Sequence, residues 1–274
     1  MLTLLEITNS SSDTLQLPMT DSSAGYVVKE IDGLDPVNAT LTSSSIAQVD
    51  GAQPQNARRD TRNITIKLGF DPDYVTNTVQ SLRSDLYDYF MPKANIQLGF
   101  YIDDALYVIT SGQVESFENA MFSDDPEVDI SVICYDPDFY APASETVSGN
   151  TTSDTNVNTI TYEGSTDAGV IFTLSLNADI TGFAIYNTRP DNTIQVMTFG
   201  GTTFASGSTI TICTIPGSKS IIYNNLGDTS SLLTWMDPTS TWISLGKGDN
   251  DFRAAYSGSP IPYTVEYTAK FGAI

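Results

Sequence analysis

Short apolar runs alternate with polar residues along much of the chain, and one stretch departs from this pattern. Between Asp71 and Phe90 the apolar residues recur every three or four positions, which predicts a helix over residues 72–90 with one buried stripe. The stripe consists of Val75, Val79, Leu82, Leu86 and Tyr89 or Phe90. Asp71 is expected to cap this helix at its start, and Met91-Pro92 is expected to end it.

The segments on either side of the helix have the alternation of half-buried strands. Ile64, Ile66 and Leu68 alternate with polar residues before it, and residues 96–100 and 106–109 do so after it. One helix among several strands predicts an N-terminal α+β domain, in which a sheet or split barrel has one face covered by the helix.

Residues 37–60 alternate only weakly, with Asp50-Gly51 at their middle. Asp-Gly between two extended runs predicts a long hairpin. The flanks offer few residues to a core, namely Val37, Leu41, Ile46 and Val49. Such a hairpin is expected either to be covered by a partner chain or to be a mobile surface loop. Under the first alternative the candidate subunit-contact residues are Thr42, Ile46, Asp50 and Gly51.

From residue 160 onward the pattern is of strands alone. About nine short alternating runs are separated by Gly, Asn and Pro turns, which predicts a galectin-like or jelly-roll β-sandwich. Residues 144–158 are almost wholly polar and indicate a linker. The predicted domains are therefore residues 1–142 and 143–274, in a chain that is mainly β.

The net charge of the chain limits the classes of molecule that it is expected to bind. It has 33 acidic and 12 basic residues, a net charge of −21, so its surface repels phosphates and specific nucleic-acid binding is not expected. No apolar run reaches the roughly 20 residues that cross a bilayer, and membrane insertion is not expected either. The protein is expected to be made in a cytoplasm and to leave it only as part of an assembly.

Three of the basic residues lie together, at Arg58, Arg59 and Arg62. A basic cluster on an acidic protein suits an acidic surface, such as that of a neighbouring identical subunit. The alternative is a set of salt bridges within the chain. We include the three arginines among the candidate interface residues, with both alternatives open.

The residues that most enzymes depend on are scarce. The chain has no histidine and two cysteines, Cys134 and Cys213, which are expected to be buried free thiols. The paired carboxylates lie at Asp71/Asp73, Asp103/Asp104, Asp124/Asp125, Asp136/Asp138 and Asp249/Asp251. Most lie beside turn residues, which indicates that they form turns and helix caps. The alternatives are a catalytic pair of a glycosidase and, at 249–251, a calcium site. We therefore predict no catalytic residue, no cofactor and no metal site.

Two tryptophans, Trp235 and Trp242, flank a short polar segment in the second half. Exposed tryptophans in a sandwich stack on sugars, whereas buried ones belong to the core. The core is the expectation here, and a glycan-stacking face is the alternative.

Several short motifs follow one another in a familiar order. They are Gly-Leu-Asp-Pro at 33–36, Asp50-Gly51, the arginine-rich run 58–67, the helix end 86–90, Tyr-Asp-Pro-Asp-Phe-Tyr at 135–140, and Trp-Ile-Ser-Leu-Gly-Lys-Gly-Asp-Asn-Asp-Phe at 242–252. In this order they resemble the distal tail proteins of long-tailed bacteriophages, over nearly the whole chain.

This resemblance implies a structural virion protein of the tail tip or baseplate and not an enzyme. Its N-terminal domain would form a six-fold ring between the tail tube protein and the tail hub. Its galectin-like C-terminal domain would project outward and dock host-recognition or receptor-binding proteins. Residues 1–140 carry 22 acidic and 7 basic side chains, and an acidic lumen would let the genome pass without binding it.

Two other functions compete with this one. A carbohydrate-binding or adhesin protein would act through the C-terminal sandwich, as a monomer with Trp235 or Trp242 exposed. A glycosidase that uses an acidic pair has less support from the sequence.

Overall fold

A computed structural model describes residues 1–22, 24–45, 50–119 and 125–274. The chain divides into two compact units. One unit comprises Met1–Pro142 with Phe271–Ile274, and the other comprises Ala143–Lys270. The last four residues belong with the N-terminal unit because the Ile274 N–H donates to the Leu34 carbonyl and the Gly272 carbonyl accepts a bond from Arg62.

The N-terminal unit is built on an antiparallel sheet. Its elements are β1 (Leu2–Thr8), β2 (Thr14–Pro18), β3 (Tyr26–Asp32), β4 (Ala39–Ser44), β5 (Gln53–Arg59), β6 (Arg62–Phe70), α1 (Val79–Phe90), β7 (Asn95–Ile102), β8 (Ala105–Asn119), β9 (Glu127–Cys134) and β10 (Phe139–Tyr140). The strand order is β2-β1-β7-β8-β9-β6-β3, and β10 pairs with β8. The end strands β2 and β3 also contact each other, so the sheet curves towards a barrel.

The alternation in β6 decides which face of this sheet is buried. Ile64, Ile66 and Leu68 are fully buried, and β9 opposes them with equally buried residues, as in the pair Ile66 and Ile130. The helix closes the same core with Leu82, Leu86 and Phe90. The predicted α+β arrangement, a sheet with one helix on its core face, is confirmed.

The helix begins later than the sequence pattern predicts. It runs from Val79, where Thr78 is the N-cap and its side chain and that of Ser81 form a capping box. Asp73 instead accepts the N–H groups of Val75, Thr76 and Asn77 at 2.8–3.0 Å, which holds a loop before the helix. Val75 is therefore 89% exposed and not part of the buried stripe. The predicted end at Met91-Pro92 is confirmed.

The C-terminal unit is a sandwich of two antiparallel sheets. Its strands are β11 (Glu145–Asn150), β12 (Asn158–Tyr162), β13 (Ala168–Gly169), β14 (Ile171–Ser175), β15 (Ile180–Thr188), β16 (Ile194–Phe204), β17 (Thr209–Cys213), β18 (Ser220–Asn225), β19 (Asp228–Ser231), β20 (Ser244–Leu245), β21 (Gly248–Ala255) and β22 (Pro262–Tyr267), and a 3₁₀ helix spans Leu233–Trp235. The last strand, β23 (Lys270–Phe271), pairs with β10 of the N-terminal sheet. One sheet has the order β11-β22-β14-β17-β18-β19 and the other β12-β21-β15-β16.

Aromatic rings join the two sheets of the sandwich. The ring centroid of Phe252 in β21 lies 5.9 Å from that of Phe172 in β14 and 5.8 Å from that of Tyr263 in β22. The predicted polar linker is in part a strand, since β11 pairs along its whole length with β22. A strand at a sheet edge is held by backbone hydrogen bonds and needs few apolar side chains, which is why its composition indicated a linker.

Candidate assembly site

The hairpin predicted around Asp50-Gly51 is present as β4 and β5. The two strands pair antiparallel from Ala39 opposite Arg59 to Ser44 opposite Gln53. Gly51 has a φ of +96°, which suits a glycine in the turn. Of the predicted contact residues, Thr42, Asp50 and Gly51 are exposed, and Ile46 lies outside the described residues. We call β4 and β5 together the arm.

The arm lies outside the core of its unit. All residues of β5 are exposed, and Leu41 of β4 has 74% of its surface exposed. Within the described residues, β4 and β5 pair only with each other. Backbone groups on the outer edges of both strands therefore have no strand partner there, which is the condition under which a strand of another chain adds to an edge.

Polar side chains hold the arm together where apolar ones are missing. Gln55 donates its side-chain amide to the Ser44 hydroxyl at 2.7 Å across the two strands. Near the base, the Thr40 hydroxyl donates to the Asp60 carboxylate at 2.8 Å, and the Asp60 N–H donates to the Asn38 carbonyl at 2.9 Å. These bonds favour a formed hairpin over a loose loop.

Arg59, at the end of β5, forms an ion pair within its own unit. Its two terminal nitrogens donate to the two carboxylate oxygens of Asp138, at 2.5 and 2.9 Å. The Asp138 side chain is only 5% exposed, and this bidentate bond raises the pKa of the Arg59 guanidinium.

Arg62 is 1% exposed and lies below the base of the arm. Its Nε donates to the Pro137 carbonyl at 2.8 Å, one terminal nitrogen to the carbonyls of Gly33 and Asp35, and the other to Gly272 at 2.6 Å. The guanidinium carbon also lies 4.2 Å from the centre of the Phe139 ring. Burial lowers the pKa of Arg62 from its usual value.

These contacts correct the prediction that all three arginines face an adjacent chain. Arg59 and Arg62 bind groups of their own unit, as in the alternative of salt bridges within the chain, although Arg62 uses carbonyl oxygens. Arg58 is exposed, and among the described residues no ion pair holds it. The sequence pattern predicted a turn role for Asp138, the partner of Arg59. The two residues are 79 positions apart, so no local pattern indicates that they pair.

The tryptophans are not core residues. Trp235 is 41% exposed and lies in the 3₁₀ helix beside the exposed Leu233. Trp242 is half-buried, and the Lys219 ammonium lies 5.1 Å from the centre of its ring. The expectation of two core tryptophans was wrong, because both follow β19, where the chain crosses the outside of the sandwich.

Several of the paired carboxylates have structural partners, and Asp124 lies outside the described residues. Asp249 and Asp251 accept the hydroxyls of Thr161 and Thr159 at 2.8 and 3.0 Å. The Thr76 hydroxyl and nearby backbone N–H groups lower the pKa of Asp73. The described residues contain no cluster of three or more His, Cys, Asp or Glu side chains able to hold a metal ion. Cys134 is a buried free thiol, and Cys213 is a free thiol that is only half-buried.

Comparison with known proteins assigns the chain to a class. Residues 163–271 match the family model of the siphovirus-type tail component, C-terminal domain. This match identifies residues 163–271 as a siphovirus-type tail component domain. No curated protein sequence matches it significantly. This tail component is accordingly a structural protein of a phage virion, and none of its described helices has the length and hydropathy of a membrane span.

Solved structures resemble this tail component along its whole length. The crystal structure of SPP1 Dit (gp 19.1), described as a paradigm of the hub adsorption apparatus in phages that infect Gram-positive bacteria, aligns with a TM-score of 0.67 and 14% identity, over 97% of this chain and 99% of that one. The phage P2 baseplate in its activated conformation with Ca aligns with a TM-score of 0.45 and 10% identity, over 100% of both chains. The likeness to SPP1 Dit shows a shared two-unit fold.

Proposed function

We propose that the N-terminal unit of this tail component joins further copies of itself in a ring of six at the distal end of the tail tube. The observation that supports this is the arm, which is formed, is exposed at all its described residues except Ser44, and pairs with no other strand of the described residues. Its edges are satisfied when a neighbouring copy supplies a strand. Each copy presents an arm and receives one, which is the head-to-tail contact that closes a ring.

The ring would connect the tail tube protein to the tail hub. SPP1 Dit belongs to a hub adsorption apparatus by its description, and the shared fold supports the same position for this chain. The C-terminal sandwich would then dock receptor-binding proteins, and its galectin-like outline would serve as a scaffold without hydrolytic activity.

Charge supports a ring with an open lumen. The first 140 residues carry a net charge of −15, from 22 acidic and 7 basic side chains. Residues 37–60, in contrast, contain two arginines and two aspartates. A segment with no net charge approaches an acidic neighbour with little repulsion, while an acidic lumen keeps a passing genome unbound.

Shortening the arm tests the ring. Replacing residues 43–55 by Asn-Gly joins Thr42 to Asn56, which already oppose each other, through a two-residue turn. We expect a folded protein that stays monomeric in light scattering and in negative-stain images. Rings formed by the shortened protein would show that the arm is not the contact.

A matched pair of point variants tests whether assembly depends on the arm in particular or on any exposed apolar residue. Leu41 on the arm and Leu226 in the turn after β18 are 74% and 85% exposed. Leu41→Asp is expected to weaken assembly, because it places a charge in the proposed contact, while Leu226→Asp is expected to leave it unchanged. Equal effects of the two variants would point to nonspecific association.

The exposure of Trp235 supports a second function, sugar binding by the sandwich. A free indole face beside Leu233 suits stacking on a pyranose ring. Trp235→Ala is expected to abolish any glycan-array signal without a change in melting temperature. An array without any signal from the wild-type protein would leave Trp235 as a protein-docking residue.

A further inference from the structure

Three segments that are distant in sequence meet at the base of the arm. Residues 33–36 lead into β4, residues 58–62 leave β5, and residues 137–139 follow β9. Each contains one of the motifs that stand out in the sequence. They converge on the side chains of Arg59 and Arg62, and we call these two arginines with Asp138 the clamp.

Arg62 holds the first end of the arm through carbonyl oxygens. A guanidinium has five N–H donors in a fixed plane, and here its three nitrogens reach four carbonyls, two of them in the turn before β4. A lysine ammonium has three donors on a flexible stem and does not reproduce this planar set. The arginine at this position therefore fixes where the chain enters the arm.

Gly33 shows how tightly this turn lies against the sheet. Its φ is +87°, and a Cβ added there would lie 2.0 Å from the Asn63 carbonyl oxygen of β6. Both conditions require glycine. The turn before the arm is thus pressed onto β6 and bonded to the Arg62 side chain of the same strand.

The second end of the arm is held by Arg59 and Asp138. A bidentate pair fixes orientation as well as distance, because two parallel bonds prevent rotation. The bond between the Asp60 N–H and the Asn38 carbonyl ties the two ends together. Both ends of the arm are therefore anchored, while β4 and β5 pair with no other strand within the described residues.

We propose that Arg59, Arg62 and Asp138 are positioning residues for assembly, because they set the direction in which the arm leaves the sheet. The partner that the arm meets is a second copy of this chain, so the inference rests on the proposed function. A ring closes only at one angle between copies. An arm held at that angle before contact loses less conformational entropy on assembly than an arm free to swing.

The test removes the ion pair without leaving a buried charge. The double variant Arg59→Gln/Asp138→Asn removes both charges of the ion pair together, and Arg253→Gln in the sandwich is the control. Spin labels at Gln53→Cys on the arm and Ser84→Cys on the helix report the arm's direction by double electron–electron resonance, in a Cys213→Ser background where Cys134 stays buried. Assembly is measured separately on unlabelled protein by mass photometry.

We expect the double variant to broaden the distance distribution and to weaken assembly about tenfold or more, with a melting temperature close to that of the control. An unchanged distribution would overturn the inference whatever happens to assembly. A broad distribution with wild-type assembly would also overturn it, by showing that direction does not matter. If the wild-type protein does not assemble, the proposed function fails and with it the role in assembly, whereas the distances still decide whether the clamp holds the arm.

Discussion

Two antiparallel strand pairs of the N-terminal unit differ in how far their side chains are buried. In the pair of β6 and β9, every second residue is buried. In the pair of β4 and β5, all described residues but Ser44 are exposed. Both pairs are antiparallel along their length, with one register shift in the exposed pair between Thr42 and Ser43. Pairing therefore does not require burial, and the exposed pair is the one that is available to another chain.

The difference lies in composition. β6 places β-branched and aliphatic residues on one face, whereas β5 reads Gln-Pro-Gln-Asn-Ala-Arg-Arg and has no large apolar side chain. Hydrophobic burial stabilises the first pair, and the second depends on cross-strand polar bonds and on its anchored base. The following variants test this contrast, from the largest expected effect to the smallest.

Truncation of one aliphatic residue in each strand pair should give the largest difference in the free energy of unfolding. Ile66→Ala in β6 removes a fully buried side chain, and we expect it to lower the free energy of unfolding by about 2–5 kcal/mol. Leu41→Ala on the arm should change it by no more than about 0.5 kcal/mol. Urea unfolding at a concentration where the protein is monomeric measures both. A comparable loss for Leu41→Ala would mean that the arm packs against its own chain.

Loss of the helix cap should destabilise the protein less, and only in the core that α1 shares with β6 and β9. Thr78→Ala removes the side chain that accepts the Ser81 N–H at 3.2 Å, and we expect a loss of about 1 kcal/mol. Hydrogen exchange should increase in α1 while exchange in β4 and β5 stays as in the wild type. Faster exchange in the arm as well would show that the helix supports it.

Arg58→Ser should act on assembly alone. The side chain is exposed, so its contact with an acidic neighbour should contribute no more than about 1 kcal/mol at low salt and less at high salt. The assembly constant at two ionic strengths measures this, with Arg253→Ser in the sandwich as the charge-matched control. An identical salt dependence in wild type and variant would remove Arg58 from the interface.

Acidification should destabilise the N-terminal sheet, because it protonates Glu127. Bonds from Lys29 and Lys67 lower the pKa of this half-buried carboxylate to about 2. Because the folded-state pKa lies below the unfolded value, the stabilisation is complete above about pH 4.5 and is lost as the pH falls towards 2. Melting temperatures of wild type and Glu127→Gln should therefore converge over this range. Parallel curves would show that the cluster does not stabilise the unit.

The sequence by itself determined the elements whose signals are local. The alternation in β6, the Asp50-Gly51 turn, the end of the helix at Met91-Pro92 and the strand-rich second half can all be read from neighbouring residues, and the structure contains each of them. These signals depend on backbone preference and on side chains within a few positions. The mainly β class and the resemblance to tail proteins follow from them.

Tertiary structure decided the rest. Asp71 was expected to cap the helix, but bonds from the N–H groups of residues 75–77 to Asp73 hold a loop there, and the helix starts at Val79 with Thr78 as its cap. Arg62 was read as a surface charge, yet its partners include the Gly272 carbonyl, 210 positions away. Carbonyl oxygens carry no sequence signature, since every residue has one. Which of them surround a given arginine is set only when distant segments fold together.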